Sequence, residues 1–512
     1  MATLGFKYFP AQTWRPSGVY AEFDPSQANT AIQQLRALVI GQILSSGTAT
    51  PNVPFLAFSQ AQVNAACGVN SMAALMYQAY RLQDPYGECW IGPLSDNAGG
   101  TAQTQTILPV GTATAAGTLS LYIGGIAVPV SVNLGDTPTI MGTNIAAAIN
   151  AIGSPIVSPA GALLTANSVG IPVSAVAASG TVTLTNAHKG VAVADIDMRV
   201  NYLGVVNNEV LPLGLTGVTF ATVTAGTLNP VLTTLLANCG EQPYDFIVNP
   251  YTDATSLAAI AAFLSDQSGR WSAIEMLYGH SFGAFRGTAG ARATFGNAQN
   301  LQHQSILGWF DSPTSTWISA ADWAGAHAVR IRVNPAQGVA DQVLNTLAPP
   351  VASRDTPATR NVMLYDGMST MFVDPAGVSH IDRSITTYQL NPAGQPDNSY
   401  LNTNLLFQAA YAARYIKSQL TSQFIAPGKI LVIDGTTIPP GAPATTPSLI
   451  FQAVVAMYAY LASVFIVQDV ATFSKQGYAA SGTKGQVLLF LPFNFSDQVI
   501  QIAGLIQFQQ TT

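Results

Sequence analysis

The pentapeptide GHSFG is the part of this sequence that most resembles a catalytic motif. Ser281 stands at its centre, as in the G-x-S-x-G nucleophile elbow of serine hydrolases. Potential acid and base partners follow it in the chain, namely His303, His327, His380, Asp311 and Asp322. The next residues are rich in glycine and arginine rather than starting a helix, and no H-G-G-G-type oxyanion loop precedes the motif. The pattern therefore favours a loop of a βα unit, with a hydrolase that uses Ser281 as the alternative.

Histidine and cysteine side chains are not spaced as metal or cofactor sites require. The five histidines include no i, i+4 pair, and Cys67, Cys89 and Cys239 form no C-x-x-C. Neither a phosphate-binding P-loop nor a G-x-G-x-x-G motif is present. We therefore expect no catalytic residue, no metal ion and no cofactor. The odd number of cysteines indicates reduced thiols in a protein made in a cytoplasm, and an inter-subunit disulfide formed later is the alternative.

The composition restricts the class of protein. Of 512 residues only 9% are charged, against roughly 25% in ordinary soluble domains. The net charge of −6 argues against a nucleic-acid partner, which requires a basic excess. Hydrophobic residues make up 48% of the chain and the mean hydropathy is +0.30, which excludes a disordered protein. Such a surface indicates a subunit that is covered by its neighbours, and hence a homo-oligomer.

One uncharged segment resembles a membrane span. Residues 448–468 carry no charge and are long enough to cross a bilayer. However, Thr446 and Pro447 form a helix-start signature, and no basic residue flanks the segment to set a topology. We therefore predict a buried helix that runs into a strand, and no stable membrane insertion. The N-terminus has no apolar stretch of the signal-peptide type.

Hydrophobic periodicity predicts an α/β protein. A continuous apolar run near residues 35–43 is typical of a buried strand, and residues 59–82 are helical with a break near Gly68 and a cap at Ser71. From Asn229 onward strands and helices alternate, which predicts a largely parallel sheet. The predicted strands are 244–249, 273–278 and 304–310, and the predicted helices are 255–266, 320–327 and 402–418.

A change of composition marks an inserted domain. Between Thr101 and His188 the only charged side chain is Asp136, and short alternating runs predict strands around one helix that begins at Pro138. We expect this insert to be mostly β, to project outward and to contribute little to contacts between subunits. The predicted division is an N-terminal arm at 1–22, a core domain at 23–99 and 227–355, the insert at 100–226, a C-terminal domain at 356–496 and a C-terminal arm at 497–512.

Three further sets of residues point to contacts with other proteins. Apolar residues alternate on one face of a predicted terminal strand: Ile500, Ile502, Ile506 and Phe508. Too little chain follows for this strand to pair with its own hairpin, and the N-terminal arm presents a similar set: Val19, Tyr20, Glu22 and Phe23. We expect both arms to pair with adjacent subunits. Arg414 and Lys417 lie one turn apart on a helix edge that is either solvated or in contact with an acidic partner.

Four segments in order resemble Mu-like contractile phage tail sheath proteins. Residues 15–49 resemble the family's R-x-P-G-x-Y-x-E-x-D arm and the strand ending L-x-I-G-Q, with Ser17 as an extra residue. Residues 67–96 resemble its F-G-x-G-S region, although Cys67 replaces the usual aromatic and Asn70 the second glycine. Residues 181–202 resemble the end of its protruding domain, and residues 491–511 its C-terminus. The resemblance covers essentially the whole chain.

This resemblance implies a fold and a function. The fold would be multidomain α/β, with a subtilisin-like core that carries no catalytic triad, a protruding insert, an α+β C-terminal domain and extended arms. The protein would be a non-enzymatic virion component, assembled in the bacterial cytoplasm, whose hexameric rings stack around a tail tube and contract to drive genome ejection. Its partners would be the tube, baseplate and tail terminator proteins, with Arg414 and Lys417 as candidates for facing the tube. A sheath of a phage-tail-like particle and a cell-surface layer protein are the alternatives.

Overall fold

The computed structural model describes residues 35–152 and 170–507. The helices are α1 (Gln60–Cys67), α2 (Met72–Gln83), α3 (Pro138–Ala151), α4 (Thr233–Asn238), α5 (Ala254–Phe263), α6 (Ala289–Asn297), α7 (Thr316–Val333), α8 (Pro357–Tyr365), α9 (Thr403–Leu420), α10 (Pro447–Ser463) and α11 (Val470–Gln476). The strands of the first half are β1 (Ala37–Gln42), β2 (Phe55–Ala57), β3 (Cys89–Leu94), β4 (Ala102–Gly111), β5 (Gly117–Ile123), β6 (Ile126–Val132), β7 (Val173–Ala178), β8 (Thr181–Lys189), β9 (Met198–Val200) and β10 (Leu215–Thr224). Those of the second half are β11 (Phe246–Val248), β12 (His280–Arg286), β13 (Gln304–Trp309), β14 (Val343–Leu344), β15 (Ser369–Val373), β16 (Ser379–Arg383), β17 (Ile430–Leu431), β18 (Ala444–Thr445), β19 (Tyr478–Ser481) and β20 (Val487–Phe490).

A nine-stranded sheet forms the centre of the molecule, in the order β14-β16-β15-β13-β12-β11-β1-β3-β2. The strands from β15 to β3 in this order run parallel, and antiparallel strands close both ends. Strands β1, β11 and β13 are buried along their whole length because helices cover both faces of a parallel sheet. The predicted α/β character is confirmed.

The helices that follow β1 begin where their caps predict. The Ser71 hydroxyl accepts a hydrogen bond from the Ala74 amide at 3.2 Å, and Gly68 separates α1 from α2 with a φ of 89°. Helix α2 then packs directly on β1, where Gly41 is needed. A Cβ at Gly41 would lie 2.8 Å from the Ala73 Cα atom. The predicted break and cap are both confirmed.

The insert has its own hydrophobic core. Strands β10-β4-β8-β7 form one antiparallel sheet and β6-β5-β9 a second, with α3 packed against both. Helix α3 begins at Pro138, as predicted. The residues that fill the space between the layers are apolar, for example Ile107, Leu121, Ile145 and Val182. An uncharged sequence can therefore fold here because its inward-facing side chains bury one another.

Polar contacts fix the insert to the central sheet. Arg286 pairs with Asp195, and Arg199 pairs with Asp311 at 3.1 Å. The Tyr202 hydroxyl donates to the Ala348 carbonyl oxygen at 2.5 Å. Two ion pairs thus form at this junction in a chain that has few charges. The insert is therefore held by direct contacts as well as by its connecting segments.

The C-terminal region is built around three helices. Helix α9 continues as a π-helical turn at Thr421–Ile425, and α10, α11 and the hairpin β19–β20 pack near it. Stacked rings of Tyr458 and Phe473, with centroids 3.8 Å apart, lie in its apolar centre. Helix α10 begins after the Thr446 cap as predicted, but only one side of it is buried, and no strand follows it directly. Among the described helices, none is both long and apolar enough to span a membrane.

Two strand predictions differ from the structure. Residues 273–278 form turns rather than a strand, because Met276 and Tyr278 have φ values of 51° and 60°, which extended strands do not allow. The strand begins later, at His280, and contains the GHSFG serine. Residues 497–507 form neither helix nor strand in the single chain. The arm residues Val19, Tyr20, Glu22, Phe23 and Phe508 lie outside the described residues.

Candidate functional site: the buried serine and the assembly surfaces

Ser281 is not positioned as a nucleophile. It is fully buried inside β12, paired in register with Gln304, and its hydroxyl oxygen has no hydrogen-bond partner. A nucleophile elbow instead places the serine at an exposed turn after a strand. The adjacent His280 points to the opposite face of the strand, since successive side chains alternate. The nucleophile-elbow interpretation of GHSFG is therefore wrong, and so is its interpretation as a loop.

The histidines near Ser281 make structural contacts instead. His280 Nε2 lies 2.8 Å from Ser305 Oγ, which lies 3.0 Å from Thr403 Oγ1 at the start of α9. These two side-chain contacts link strands β12 and β13 to helix α9. Burial lowers the pKa of His280 well below its ordinary value, so the ring is neutral. Desolvation likewise lowers the pKa of His327 to about 4, and its Nδ1 contacts the Trp323 carbonyl oxygen at 3.0 Å.

His303 and His380 are also held by neighbours. His303 Nε2 lies 2.7 Å from Asp266 Oδ1, and this bond lowers the pKa of the Asp266 carboxyl. The ring of Trp271 stacks on His303 with centroids 4.4 Å apart. His380 Nε2 is 3.4 Å from Asp374. Within residues 35–152 and 170–507, no three His, Cys, Asp or Glu side chains converge on a possible metal position.

The three cysteines are buried free thiols. Desolvation raises the pKa of Cys67 and Cys89 to about 12 and that of Cys239 to about 11. A thiol with such a pKa is almost entirely protonated at neutral pH and reacts slowly. In the folded subunit these side chains have the character of core residues.

Arg414 and Lys417 have different environments. Arg414 Nη1 is 2.5 Å from Asp245 Oδ1, its Nη2 donates to the Leu277 carbonyl at 2.7 Å, and its guanidinium lies over the Tyr278 ring. Asp245 is almost fully buried. Lys417 is exposed, and no described carboxylate pairs with it. Arg414 is therefore used inside the subunit, and only Lys417 is available to a partner.

Four lysines near the C-terminus are exposed positive charges. Seven arginines are in ion pairs: Arg36, Arg199, Arg286, Arg292, Arg332, Arg360 and Arg414. By contrast, four exposed lysines have no ion pair with any described carboxylate: Lys417, Lys429, Lys475 and Lys484. Lys417 and Lys429 lie around the end of α9, where the Lys429 ammonium is 4.8 Å from the centre of the Phe424 ring. We call these two lysines the basic end of α9.

The C-terminal segment is fixed up to Ser496 and exposed after it. The Ser496 amide donates to the Ile466 carbonyl at 3.1 Å, and the Ser496 carbonyl accepts from Gln408 Nε2 at 2.9 Å. Beyond it the large apolar side chains protrude into solvent, with exposed fractions of 82% for Val499, 90% for Ile502 and 98% for Leu505. Ile500 and Ile506 are 46% and 83% exposed. The arm thus begins close to Val499.

The hairpin β19–β20 is a two-stranded sheet with open edges. Tyr478 pairs with Phe490 and Ser481 with Val487, and no other described strand joins them. One face packs against α10, while Tyr478, Leu488 and Phe490 are more than half exposed. Its outer edges leave backbone N–H and C=O groups without a described strand partner. Sequence analysis missed this feature, although alternating residues around the glycines Gly482 and Gly485 are a hairpin signal.

Comparisons with known proteins show similarity to phage tail sheath proteins. Residues 225–387 match the sequence profile of the phage tail sheath protein central domain. The chain is 29% identical over 477 residues to the tail sheath protein of a Mu-like prophage of Haemophilus influenzae, covering 92% of both chains.

Solved structures of sheath proteins also align with nearly the whole chain. The sheath tail protein of Desulfitobacterium hafniense aligns at a TM-score of 0.47 with 13% identity, over 94% of this chain and 97% of that one. The helical sheath of the anti-feeding prophage in its contracted state aligns at 0.45 with 11% identity, over 96% and 98%. The sequence matches therefore show that this chain is similar to phage tail sheath proteins, with the central domain of that family at residues 225–387.

Proposed function

We propose that the chain is the structural subunit of a contractile sheath whose copies are joined by exchange of terminal strands. The observation that carries this proposal is the C-terminal arm, which leaves a well-packed body with five large apolar side chains in solvent. Full burial of each such side chain is worth about 1.5–3 kcal/mol. We therefore infer that a second subunit buries these side chains in the assembly.

The hairpin β19–β20 is the proposed acceptor of the arm. Its outer edges carry backbone N–H and C=O groups that a neighbour's strand can satisfy. Five or six such hydrogen bonds at about 0.5–1.5 kcal/mol each would contribute roughly 3–9 kcal/mol before apolar burial. The exposed Leu488 and Phe490 supply the apolar surface against which alternate arm residues would pack. The N-terminal arm would add a strand in the same manner.

A fixed body and a free arm suit a sheath that contracts. Residues from Val499 to the end of the chain could span about 46 Å when extended, at about 3.3 Å per residue. Hexameric rings linked in this way could rotate against one another while their backbone links persist. The low charge of the chain supports the proposal, because rearranging apolar contacts avoids the desolvation of ion pairs.

The remaining partners follow from the same proposal. The sheath would surround a tail tube and meet baseplate and terminator proteins in a virion assembled in the bacterial cytoplasm. The basic end of α9 is the proposed tube contact, in place of the Arg414 and Lys417 pair. The protein would act without catalysis, and the buried Ser281 supports this. The parallel order of the central strands supports a subtilisin-like core.

Removal of the arm tests the proposal. A variant that ends at Gln498 keeps both Ser496 contacts, so we expect a folded subunit that forms no sleeves in negative-stain images. A matched pair keeps the chain length: I500S/I502S/I506S should abolish sleeves, whereas Q501S/Q507S on the other strand face should preserve them. Circular dichroism checks the fold of each variant.

Two outcomes would contradict strand exchange. Sleeves formed by the variant ending at Gln498 would show that the arm is dispensable. Equal loss of sleeves in the isoleucine and glutamine variants would show that the arm does not pack through one alternating face.

A further inference from the structure

An apolar groove runs along α9 in the C-terminal region. Ala409, Ala413 and Ile416 form its floor, Met276 and Phe493 stand on its two sides, and its volume is about 350 Å³. The groove is open because the alanine side chains of its floor are short. We call this surface the α9 groove. An apolar depression of this kind on the surface is typical of a site that receives apolar side chains of another protein segment.

The α9 groove is continuous with the hairpin that we propose as the acceptor of the C-terminal arm. The side of the groove that contains Phe493 belongs to the segment that directly follows β20, the second strand of the hairpin. An arm that joins the hairpin can therefore also reach the groove.

Charge complementarity identifies the C-terminal arm as the occupant. Among the residues that line the α9 groove, the one charged residue is Lys417, which is exposed and has no ion pair with any described carboxylate. From residue 497 to the end of the chain, the one charged residue is Asp497. Asp497 is also exposed, and no described cation pairs with it. The arm thus offers a carboxylate followed by apolar side chains, and the groove offers an ammonium group beside an apolar floor.

The spacing of these groups also matches. Lys417 lies about 12 Å from Ala409 along the helix axis, at about 1.5 Å per residue. In an extended arm, Asp497 lies about 10 Å from Ile500 and about 17 Å from Ile502, at about 3.3 Å per residue. Ile500 and Ile502 share one face of such a strand and are both exposed in the single chain. With Asp497 beside Lys417, these two side chains would lie over the alanine floor.

The arm of the same subunit leaves in the other direction. It begins beside Gln408, which holds the Ser496 carbonyl at 2.9 Å, and then passes Gly338, where a Cβ would lie 3.4 Å from Gln498 Oε1. The residue before Gly338 is bonded to the first turn of α9, whereas Lys417 lies in the last turn. The arm that fits the groove is therefore that of a second copy.

From these observations we infer that the α9 groove of each subunit binds the isoleucine face of a neighbouring copy's C-terminal arm, with Asp497 of that copy paired with Lys417. This inference rests on the proposed strand exchange and adds the surface that buries the arm's side chains. Each subunit offers one arm and one groove, so the contact is head to tail. Such contacts generate rings or helices rather than closed dimers.

Cysteines at the two charged positions test the contact directly. Within one subunit they cannot be joined, because the arm begins beside Gln408, about 13 Å from Lys417 along α9. Oxidised sleeves of K417C/D497C should give a ladder of covalent oligomers on non-reducing gels. Each single variant should give none, since the native cysteines are buried. Sleeves of K417C/D497C without any ladder would overturn the inference, and so would dimers from either single variant.

Charge reversal gives a second test, read on sleeves assembled without tube protein so that a contact of Lys417 with the tube does not enter. K417E and D497K should each raise the protein concentration needed for sleeves about threefold or more, because each places like charges together. K417E/D497K should restore the parent concentration. Equal defects in the single and double variants would refute the pairing. The proposed tube contact can then be examined in the D497K background, in which K417E sleeves form again.

Filling the groove gives the third test. A413F should abolish sleeves because the phenylalanine ring occupies the floor, whereas A459F, at an exposed alanine of α10, should preserve them. Circular dichroism checks that both variants fold. Sleeves formed by A413F at the parent concentration would refute the groove as a binding site while leaving the sheath proposal intact. Failure of the unmodified protein to form sleeves would instead count against the sheath proposal.

Discussion

Replacing Arg414 by methionine should destabilise the subunit far more than the same change at Lys417. Both residues lie on one edge of α9, but Arg414 alone is paired, at 2.5 Å from Asp245. The Asp245 carboxylate is 3% exposed, and its second oxygen accepts a hydrogen bond from the Arg36 amide at 3.0 Å. Removing one partner of a buried ion pair costs about 3–5 kcal/mol because the other charge stays buried.

We expect a value near the lower end, about 3 kcal/mol, because the Arg414 side chain is 17% exposed and water can reach the site. This corresponds to roughly a 150-fold change in the ratio of folded to unfolded protein. Lys417 is exposed and has no described ion-pair partner, so K417M should change the free energy of unfolding by about 0.5 kcal/mol or less.

Urea unfolding of the variant ending at Gln498, which we expect to stay monomeric, measures both effects. The fluorescence of Trp271 is a suitable signal, since its ring lies 4.9 Å from that of Tyr278, over which the Arg414 guanidinium is placed. Equal unfolding free energies for R414M and the parent would refute the assigned role of Arg414. The proposed tube contact should be tested with the double variant K417E/K429E, because both lysines are exposed. R414M is the control that shows the effect of lost stability alone.

Three further outcomes follow from buried groups. S281A should leave the free energy of unfolding unchanged or slightly higher, because it removes a hydroxyl without a partner, and a fluorophosphonate probe should label neither protein. Cys67, Cys89 and Cys239 should react with a thiol reagent only after unfolding, and rapid reaction of the native protein would contradict their burial. The pKa of His327, about 4 when folded and 6.5 when unfolded, means that stability is full above pH 6.5 and falls toward pH 4. The loss is up to about 3 kcal/mol, and H327Q should show a smaller loss in urea midpoints between pH 7.5 and 4.5.

Local signals in the sequence determined many elements. The apolar run of β1 predicted a buried strand because parallel strands are covered on both faces. Ser71 and Thr446 predicted helix starts because a side-chain oxygen there satisfies a free amide. The scarcity of charge predicted a subunit of an assembly, and the ordered motifs predicted a resemblance to tail sheath proteins that the sequence matches confirm.

Tertiary structure alone decided the environment of individual side chains. The GHSFG pattern is the same whether its serine lies at a turn or inside a strand, and only the pairing of β12 with β11 and β13 buries Ser281. Arg414 and Lys417 look equivalent in the sequence, since both are basic residues on one helix edge. Only Arg414 contacts Asp245, which lies 169 positions before it in the chain. Local periodicity specifies elements, whereas burial, ion pairing and edge exposure depend on contacts between distant parts of the chain.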